Sequence, residues 1–414
     1  MTATLGERIY SRIGELARIS DDPDGLTRLY LSPAHKKAAE LVAQWMREAG
    51  MSVRIDAVGS VIGRREGSTP QAPALLIGSH IDTVSNAGRF DGCLGVVTAI
   101  SVVGQLAKRN AQCPFAIEVI AFGDEEGVRF ASALGGSRAL AGTFDPAILD
   151  ERDEQGISRR EALAAFGCNP GAIAAEARSP STALGYVEVH IEQGPVLEME
   201  HLPVGIVTAI SGATRGFVEV HGETGHAGTV PMGGRRDALA AAAEMILAVE
   251  GRAKGEADLV ATVGRLSLSN AATNTIAGKA RFSLDIRAPE DEQRAAAVTD
   301  IQAAIARIAA EREVRAEVSL SYEAPATRCD ARLMRLLTAS VEGLGIRARR
   351  LPSGAGHDAM AFRGVLPLAM LFVRCRGGIS HHPSEHASAA DIDVAARVLT
   401  AFIASYASES DRNP

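Results

Sequence analysis

The amino-acid sequence predicts an α/β protein in which a mostly parallel sheet is sandwiched by helices and a smaller α+β domain of ferredoxin-like βαββαβ order is inserted. The chain has 414 residues, of which 46% are hydrophobic, so it can build two domains with buried cores. Toward both ends of the chain, apolar β-rich runs alternate with helical stretches, which is typical of a parallel sheet covered on both faces. Between these parts the order changes to strand, helix, strand, strand, helix, strand, as in a split βαβ unit.

The elements of the larger domain come from two separate parts of the chain. The first part predicts helices 5–19 and 33–49, strands 52–63 and 74–80, helix 93–109, and strands 115–122 and 186–191. After residue 325 the pattern resumes with a helix at 330–344, a strand at 366–373 and a helix at 389–407. We therefore expect residues 1–212 and 329–414 to form one domain.

Residues 213–328 are predicted to form the inserted domain. Its elements are strand 216–221, helix 235–249, strands 259–268 and 280–287, helix 289–312 and strand 313–321. We expect a cleft between the two domains to hold the functional site.

Composition and charge exclude several classes of function. The formal net charge is -7 and no block of lysine and arginine interrupts the chain, so nucleic acid is not an expected partner. No apolar run reaches membrane-spanning length, and the charged stretch 1–10 does not fit a signal peptide, so we expect a cytoplasmic protein without membrane contact. The five cysteines are scattered and odd in number, which fits free thiols.

The segment 121–130, AFGDEEGVRF, places three carboxylates directly after the apolar run 115–122. Two carboxylates about 4 Å apart repel by about 1 kcal/mol in water and by about 4 kcal/mol near a protein surface, so a cation should offset them. The alternative is a solvated acidic loop. Because ligands bind at the strand ends of open α/β sheets, the position of Asp124, Glu125 and Glu126 favours a functional site.

Histidines and carboxylates also follow the other predicted strands. His80 and Asp82 lie two residues apart on one face of an extended chain, so Asp82 could fix the tautomer of a metal-binding His80. A structural histidine is the alternative. Asp91 lies between glycines at the start of a helix, where a helix N-cap is the alternative.

Two further segments complete this pattern. His190 and Glu192 precede a Gly-Pro turn, and His381 and His382 lie in a loop that follows two glycines. Imidazole and carboxylate ligands together suit zinc, manganese and similar ions better than calcium or magnesium. The sequence therefore predicts a two-metal hydrolytic centre.

Six segments occur in an order that is found in a known family. They are 79–84 (SHIDTV), 90–92 (FDG), 124–127 (DEEG), 190–195 (HIEQGP), 225–232 (GHAGTVPM) and 379–385 (ISHHPSE). Together they resemble the M20 metallopeptidase superfamily, in particular its branch of N-carbamoyl-L-amino acid hydrolases, allantoate amidohydrolases and β-ureidopropionases. The resemblance extends over nearly the whole chain. It implies two divalent metal ions, zinc or else manganese, nickel or cobalt, and a homodimer formed through the inserted domain, which would also act as a lid.

The resemblance implies roles for individual residues. The implied metal ligands are His80, Asp91 as the bridge, Glu126, His190 and His381. His381 is preferred to His382 because it stands four residues before Glu385, which is the spacing of the family. Glu125 would be the general base, because a carboxylate beside the attacking water can take its proton and return it to the leaving nitrogen. We also predict that Asp82 is a catalytic residue.

The remaining implied residues concern the substrate. His226 would polarise the scissile carbonyl oxygen and reach the active site of the other subunit. Asn274 and Arg287 would hold the substrate carboxylate, the arginine through two hydrogen bonds, whereas without the resemblance Arg287 would be a surface cation. Gln193 and His357 are further candidates for substrate binding.

The implied reaction removes the carbamoyl (ureido) group from an N-carbamoyl-L-amino acid or allantoate and releases ammonia and carbon dioxide. The protein would then be a hydrolase of carbon–nitrogen bonds other than peptide bonds, in linear amides or amidines. The alternatives are an aminoacylase or dipeptidase with the same metals, and a non-catalytic metal-binding scaffold. His190 favours the carbamoyl branch, since related peptidases usually have a carboxylate at the matching position.

Overall fold

The computed structural model of the protein describes residues 3–410, in which two compact units can be distinguished. The first unit runs to Thr208 and resumes over Cys329–Leu351 and from Gly356. The second unit comprises Ala209–Arg328 and Pro352–Ala355. The predicted roles of the inserted part as a lid and in dimerisation stay predictions.

Ten α-helices lie within the described residues. They are α1 (Leu5–Leu16), α2 (Pro33–Glu48), α3 (Cys93–Lys108), α4 (Gly135–Ala141), α5 (Arg159–Phe166), α6 (Val196–Met199), α7 (Ala238–Ala253), α8 (Asp291–Glu311), α9 (Ala331–Glu342) and α10 (Ala389–Ser410). Side-chain caps begin several of them, since Thr4, Ser32 and Ser158 accept hydrogen bonds from amides in the first turns of α1, α2 and α5. These caps satisfy amides that have no partner inside the helix.

Sixteen β-strands lie within the same described residues. They are β1 (Ser52–Ile55), β2 (Val61–Arg65), β3 (Ala74–His80), β4 (Ala116–Phe122), β5 (Ala183–Ile191), β6 (Val204–Ile210), β7 (Gly212–His221), β8 (Gly225–His226), β9 (Val260–Thr262), β10 (Leu266–Leu268), β11 (Thr275–Ile276), β12 (Lys279–Ala288), β13 (Arg315–Ala324), β14 (Thr327–Arg328), β15 (Arg350–Ser353) and β16 (Leu368–Val373).

The sheet of the first unit runs in the order β1, β2, β4, β3, β5, β16, β6. Its central strands β4, β3, β5 and β16 are parallel, whereas β1, β2 and β6 pair with their neighbours in antiparallel fashion. Every residue of β3, β4 and β16 is buried, as expected for strands covered on both faces. The predicted α/β class is therefore confirmed, and its parallel part forms the centre of a mixed sheet.

One predicted strand of this unit needs correction. Residues 52–63 form two strands, β1 and β2, joined by a tight turn rather than one continuous strand. The turn is held by the buried carboxylate of Asp56, whose Oδ1 accepts hydrogen bonds from the amides of Val58 at 3.0 Å and Ser60 at 2.8 Å. Such a side chain offers the backbone an alternative to the strand ladder.

The first turn of α3 lies directly against the carboxyl ends of two central strands. A Cβ atom on Gly95 would stand 2.0 Å from the carbonyl oxygen of Val189 on β5 and 3.0 Å from the Cβ of Ser79 on β3. Only glycine allows so close an approach. The segment that precedes α3 is thereby brought beside the ends of β3 and β5.

The second unit contains an antiparallel sheet in the order β10, β12, β7, β13, with β9 also beside β12. Its core consists of buried residues of this sheet and of α7 and α8. The strand predicted at 259–268 is wrong, because it consists of the two short strands β9 and β10. Between these two strands, the amides of Gly264 and Arg265 donate hydrogen bonds to the Ser283 hydroxyl of β12.

Two general features of the described chain concern membranes and thiols. None of the described helices is both long enough and apolar enough to cross a membrane. All five cysteines lie within the described residues as free thiols, as predicted, and four of them are buried.

Candidate metal centre and active site

Three segments of the first unit meet where β3 and β5 end. His80 is the last residue of β3, His190 lies one residue before the end of β5, and Asp91 immediately precedes the N-cap residue of α3. The Oδ1 atom of Asp91 lies 3.6 Å from the Nε2 of His80 and 3.0 Å from the Nε2 of His190. All three side chains are buried. The alternative of a helix N-cap is wrong for Asp91, because Gly92 occupies that position.

A second group of ligand atoms faces the other oxygen of the same carboxylate. The Oδ2 atom of Asp91 lies 3.1 Å from the Nε2 of His381, and that nitrogen lies 3.7 Å from the Oε2 of Glu126. His382 is exposed, and its Nδ1 accepts a hydrogen bond from the amide of Ser384. Asp91 is therefore shared by two groups of possible metal ligands, in each of which the ligand atoms lie within 4.8 Å of one another.

The hydrogen bonds of the two buried histidines favour metal binding through their Nε2 atoms. The Nδ1 of His80 lies 3.0 Å from the backbone oxygen of Asp82, and the Nδ1 of His190 lies 2.9 Å from that of Ile191. A carbonyl oxygen can only accept, so both Nδ1 atoms donate, and in the neutral rings both Nε2 atoms carry a lone pair toward Asp91. A proton can join each Nε2 to the carboxylate as a hydrogen bond, and a metal ion can replace that proton, since imidazole and carboxylate donors together fit divalent metal ions.

The Asp82 carboxylate holds the acidic segment that follows β4. Its Oδ1 accepts a hydrogen bond from the amide of Glu125 and its Oδ2 from the amide of Glu126, each at 3.2 Å. The same carboxylate lies 3.7 Å from the Nδ1 of His80, farther than the backbone oxygen that fixes the tautomer. Asp82 therefore orients two acidic residues by their backbone.

The two glutamates are nearly buried, which excludes the alternative of a solvated loop. The side chains of Glu125 and Glu126 are 12% and 7% exposed. Burial raises the pKa of Glu125 well above its usual range and the pKa of Glu126 to about 7, although His80 opposes both shifts. Burial would also raise the pKa of Asp91, but hydrogen bonds with His190, His381 and His80 hold it well below its usual range. A carboxyl group with a raised pKa is suited to accepting and returning a proton.

Asp124 forms a buried ion pair that the sequence did not reveal. Its carboxylate contacts the guanidinium of Arg159, the first residue of α5, and both side chains are fully buried. Arg159 also donates to the backbone oxygen of Ser132 at 3.0 Å and to Glu151 at 3.1 Å. The contact joins residues 35 positions apart, for which no spacing rule exists.

Two predicted substrate-binding residues lie beside the metal-ligand groups. The Nε2 of Gln193 donates to the Oδ2 of Asp91 at 3.0 Å and to the hydroxyl of Ser380 at 3.1 Å. His357 is buried, and its ring packs edge-on against His190 with centroids 4.4 Å apart. Burial lowers the pKa of His357 well below its usual range, so its imidazole is neutral. Substrate binding by both residues stays a prediction.

The other three predicted substrate residues lie in the second unit. His226 on β8 pairs with Thr275 on β11, and the neighbouring amide of Ala227 donates to the backbone oxygen of Asn274 at 2.9 Å. Arg287 on β12 donates to both carboxylate oxygens of Asp285, at 2.7 and 2.8 Å. His226 and Asn274 are therefore neighbours, and one edge of the Arg287 guanidinium already faces a carboxylate of its own strand.

One buried acid near the ligands was missed by the sequence analysis. Glu188 on β5 accepts hydrogen bonds from Ser79 at 2.8 Å, from the Tyr186 hydroxyl at 3.2 Å and from the amide of Ala359 at 3.1 Å. Side chains alternate between the two faces of a strand, so residues 186, 188 and 190 share one face. This alternation could have identified Glu188 as a neighbour of His190. Its oxygens connect β3 and β5 to the segment that follows His357.

Comparisons with known proteins agree with this combination of an α/β fold and a candidate metal centre. Residues 76–405 match the family described as Peptidase family M20/M25/M40. The chain is 41% identical over 395 residues to the N-carbamoyl-L-amino acid amidohydrolase of Geobacillus stearothermophilus, a match covering 95% of this chain and 97% of that protein. It is 39% identical over 434 residues to the allantoate deiminase of Arabidopsis thaliana, covering 97% of this chain and 83% of that protein.

A solved structure is similar over the same length. The amidase of the hydantoinase/carbamoylase family from Burkholderia multivorans matches with a TM-score of 0.91 and 33% identity, covering 97% of this chain and 98% of that one. This protein therefore belongs to the M20 peptidase family, and the predicted resemblance is confirmed.

We expect the buried Asp124 carboxylate to need the Arg159 cation for stability. Replacing Arg159→Met leaves a buried carboxylate without its cation, and we expect the free energy of unfolding in urea to fall by about 3–5 kcal/mol. The double variant Asp124→Asn with Arg159→Met should regain most of this loss, because it removes the buried charge and asparagine tolerates the left-handed φ of 70° at position 124. Equal stabilities of the single and double variants would contradict this account.

Proposed function

We propose that this protein is a two-metal amidohydrolase that removes the carbamoyl group from a ureido acid, either an N-carbamoyl-L-amino acid or allantoate. The observation that carries the proposal is the Asp91 carboxylate, whose two oxygens face two separate groups of possible metal ligands. The whole-length similarity to an N-carbamoyl-L-amino acid amidohydrolase and to an allantoate deiminase supports the same reaction class.

The residues of the first unit divide into two sets that share Asp91. His80 and His190 would complete one site, and Glu126 and His381 the other, so that zinc, manganese, nickel or cobalt could be held. Two ions so bound supply Lewis acidity and lower the pKa of water. Each set combines imidazole nitrogens with carboxylate oxygens, which is the chemistry that such ions prefer.

Glu125 would move the protons of the reaction. Its carboxylate lies 3.9 Å from the Nε2 of His80, and its amide is held by Asp82. It would take a proton from the attacking water and return it to the terminal nitrogen of the ureido group. The carbon–nitrogen bond then breaks, ammonia leaves, and the resulting carbamate loses carbon dioxide to give the free amine.

The second unit would bind the substrate and complete the site. We propose that residues 213–328 act as the lid and dimerisation domain, with His226 donating a hydrogen bond to the scissile carbonyl oxygen across the subunit interface. Asn274 and Arg287 would hold the substrate carboxylate, whereas Gln193 and His357 would contact the ureido group. His226 is exposed, so its ring is available for such a contact.

A comparison of substrates tests the proposed reaction class. After reconstitution with zinc, manganese, nickel or cobalt, we expect ammonia release from N-carbamoyl-L-amino acids or allantoate. The kcat/KM for the best ureido acid should exceed that for N-acetyl-L-amino acids and dipeptides by about 100-fold or more, because a site that pairs with the terminal amide loses those hydrogen bonds with other substrates. Faster hydrolysis of the N-acetyl compounds or dipeptides would establish the aminoacylase or peptidase alternative instead.

The role of Glu125 can be separated from metal binding. We expect Glu125→Gln to keep its bound metal, since this residue lies outside the two proposed ligand sets that share Asp91, and to lower kcat by about 100- to 10,000-fold. Glu126→Gln is the matched variant at the next position, and it should lose metal as well as activity. Metal content by mass spectrometry and ammonia release are measured on the same samples, and an active Glu125→Gln enzyme would refute the assignment.

A further inference from the structure

Glu385 contacts the backbone of Asp91 and has no role in the proposed reaction. It is 3% exposed, and its Oε1 accepts hydrogen bonds from the amide of Phe90 at 2.7 Å and from the amide of Asp91 at 3.1 Å. Its Oε2 lies 3.0 Å from the hydroxyl of Ser380. One buried side chain thus holds the backbone that carries the shared carboxylate.

The same side chain joins two loops that each supply a ligand. Glu385 and Ser380 belong to the loop that bears His381, whereas the amides of Phe90 and Asp91 belong to the segment before α3. The Ser380 hydroxyl also lies 3.0 Å from the Oδ2 of Asp91. A change in Glu385 would therefore alter the distance between Asp91 and His381 as well as the direction of each.

The position of Glu385 requires a glycine at residue 88. A Cβ atom on Gly88 would lie 2.2 Å from the carboxyl carbon of Glu385 and 2.3 Å from its Oε1, so no larger residue fits beside it. The segment is thus held by hydrogen bonds from its backbone amides to the Glu385 carboxylate, rather than by contacts between flexible side chains.

A similar arrangement holds the segment of Glu125 and Glu126. There the Asp82 carboxylate accepts hydrogen bonds from the consecutive amides of Glu125 and Glu126, each at 3.2 Å. In both cases a buried carboxylate that is not itself a proposed ligand orients a ligand residue through two adjacent amides. Contacts of this kind around metal ligands commonly set metal affinity.

We propose that Glu385 is a positioning residue of the metal centre, which sets the affinity for divalent cations by fixing Asp91 and tying it to the loop of His381. This inference rests on the proposed two-metal function. Its effect is expected on cation binding itself, so it can be measured without any substrate. Glu385 would not touch the substrate or the reacting atoms.

The test compares Co²⁺ dissociation constants, measured by chelator competition, for the full-length protein and four variants. Glu385→Ala removes the hydrogen bonds with the two amides and with Ser380, and Glu385→Asp keeps the charge but shortens the reach. Both should bind Co²⁺ about 10- to 100-fold more weakly and shift the visible absorption of the bound cobalt. Glu385→Gln keeps an oxygen that can accept from both amides and should stay within about threefold of the unchanged protein.

Asp56→Ala is the matched control, because Asp56 is also a buried carboxylate that accepts from two amides, but in the turn between β1 and β2. It should lower stability in urea and leave the Co²⁺ affinity unchanged. Unchanged Co²⁺ affinity in Glu385→Asp, or an equal loss of Co²⁺ affinity in Asp56→Ala, would overturn the inference. If Glu385→Ala does not fold, Glu385→Asp provides the test. Failure of the unchanged protein to bind Co²⁺ would instead refute the proposed two-metal function.

Discussion

The concentration of buried carboxylates at one edge of the sheet is the constraint on which the rest of the first unit depends. Asp82, Asp91, Glu125 and Glu126 lie together with little exposure to water, where like charges repel strongly. The protein offsets part of this charge with histidine nitrogens and backbone amides. The part that remains, around Asp91, is what a pair of divalent cations would neutralise.

The scaffold meets this constraint with groups that cannot move far. His80 and His190 are fixed at the ends of adjacent parallel strands, and a Cβ atom on Gly92 would lie 2.5 Å from the His80 ring. Gln193 and His381 have left-handed backbone conformations with φ values of 57° and 55°, which non-glycine residues rarely adopt. Such strained residues persist where the surrounding contacts determine them, as is common at functional sites.

The sequence allowed the prediction of elements and of residue types more reliably than the prediction of contacts. Strand β3 has the predicted bounds of 74–80, because a continuous apolar run begins directly after Pro73 and leads into Ser79 and His80. The contact of Asp124 with Arg159 was not predictable, since it joins distant segments through a helix whose direction is set by packing. The hydrogen bonds of Glu385 to residues more than 290 positions away were hidden for the same reason.

The shared use of Asp91 by two cation sites is the central claim, and anomalous diffraction from crystals of the metal-loaded protein tests it most directly. We predict two anomalous peaks about 3.5–4 Å apart, one on each side of the Asp91 carboxylate. The peak nearer β3 should contact His80 and His190, and the other Glu126 and His381. A single peak in fully loaded crystals, or two peaks of which one does not touch Asp91, would contradict the account.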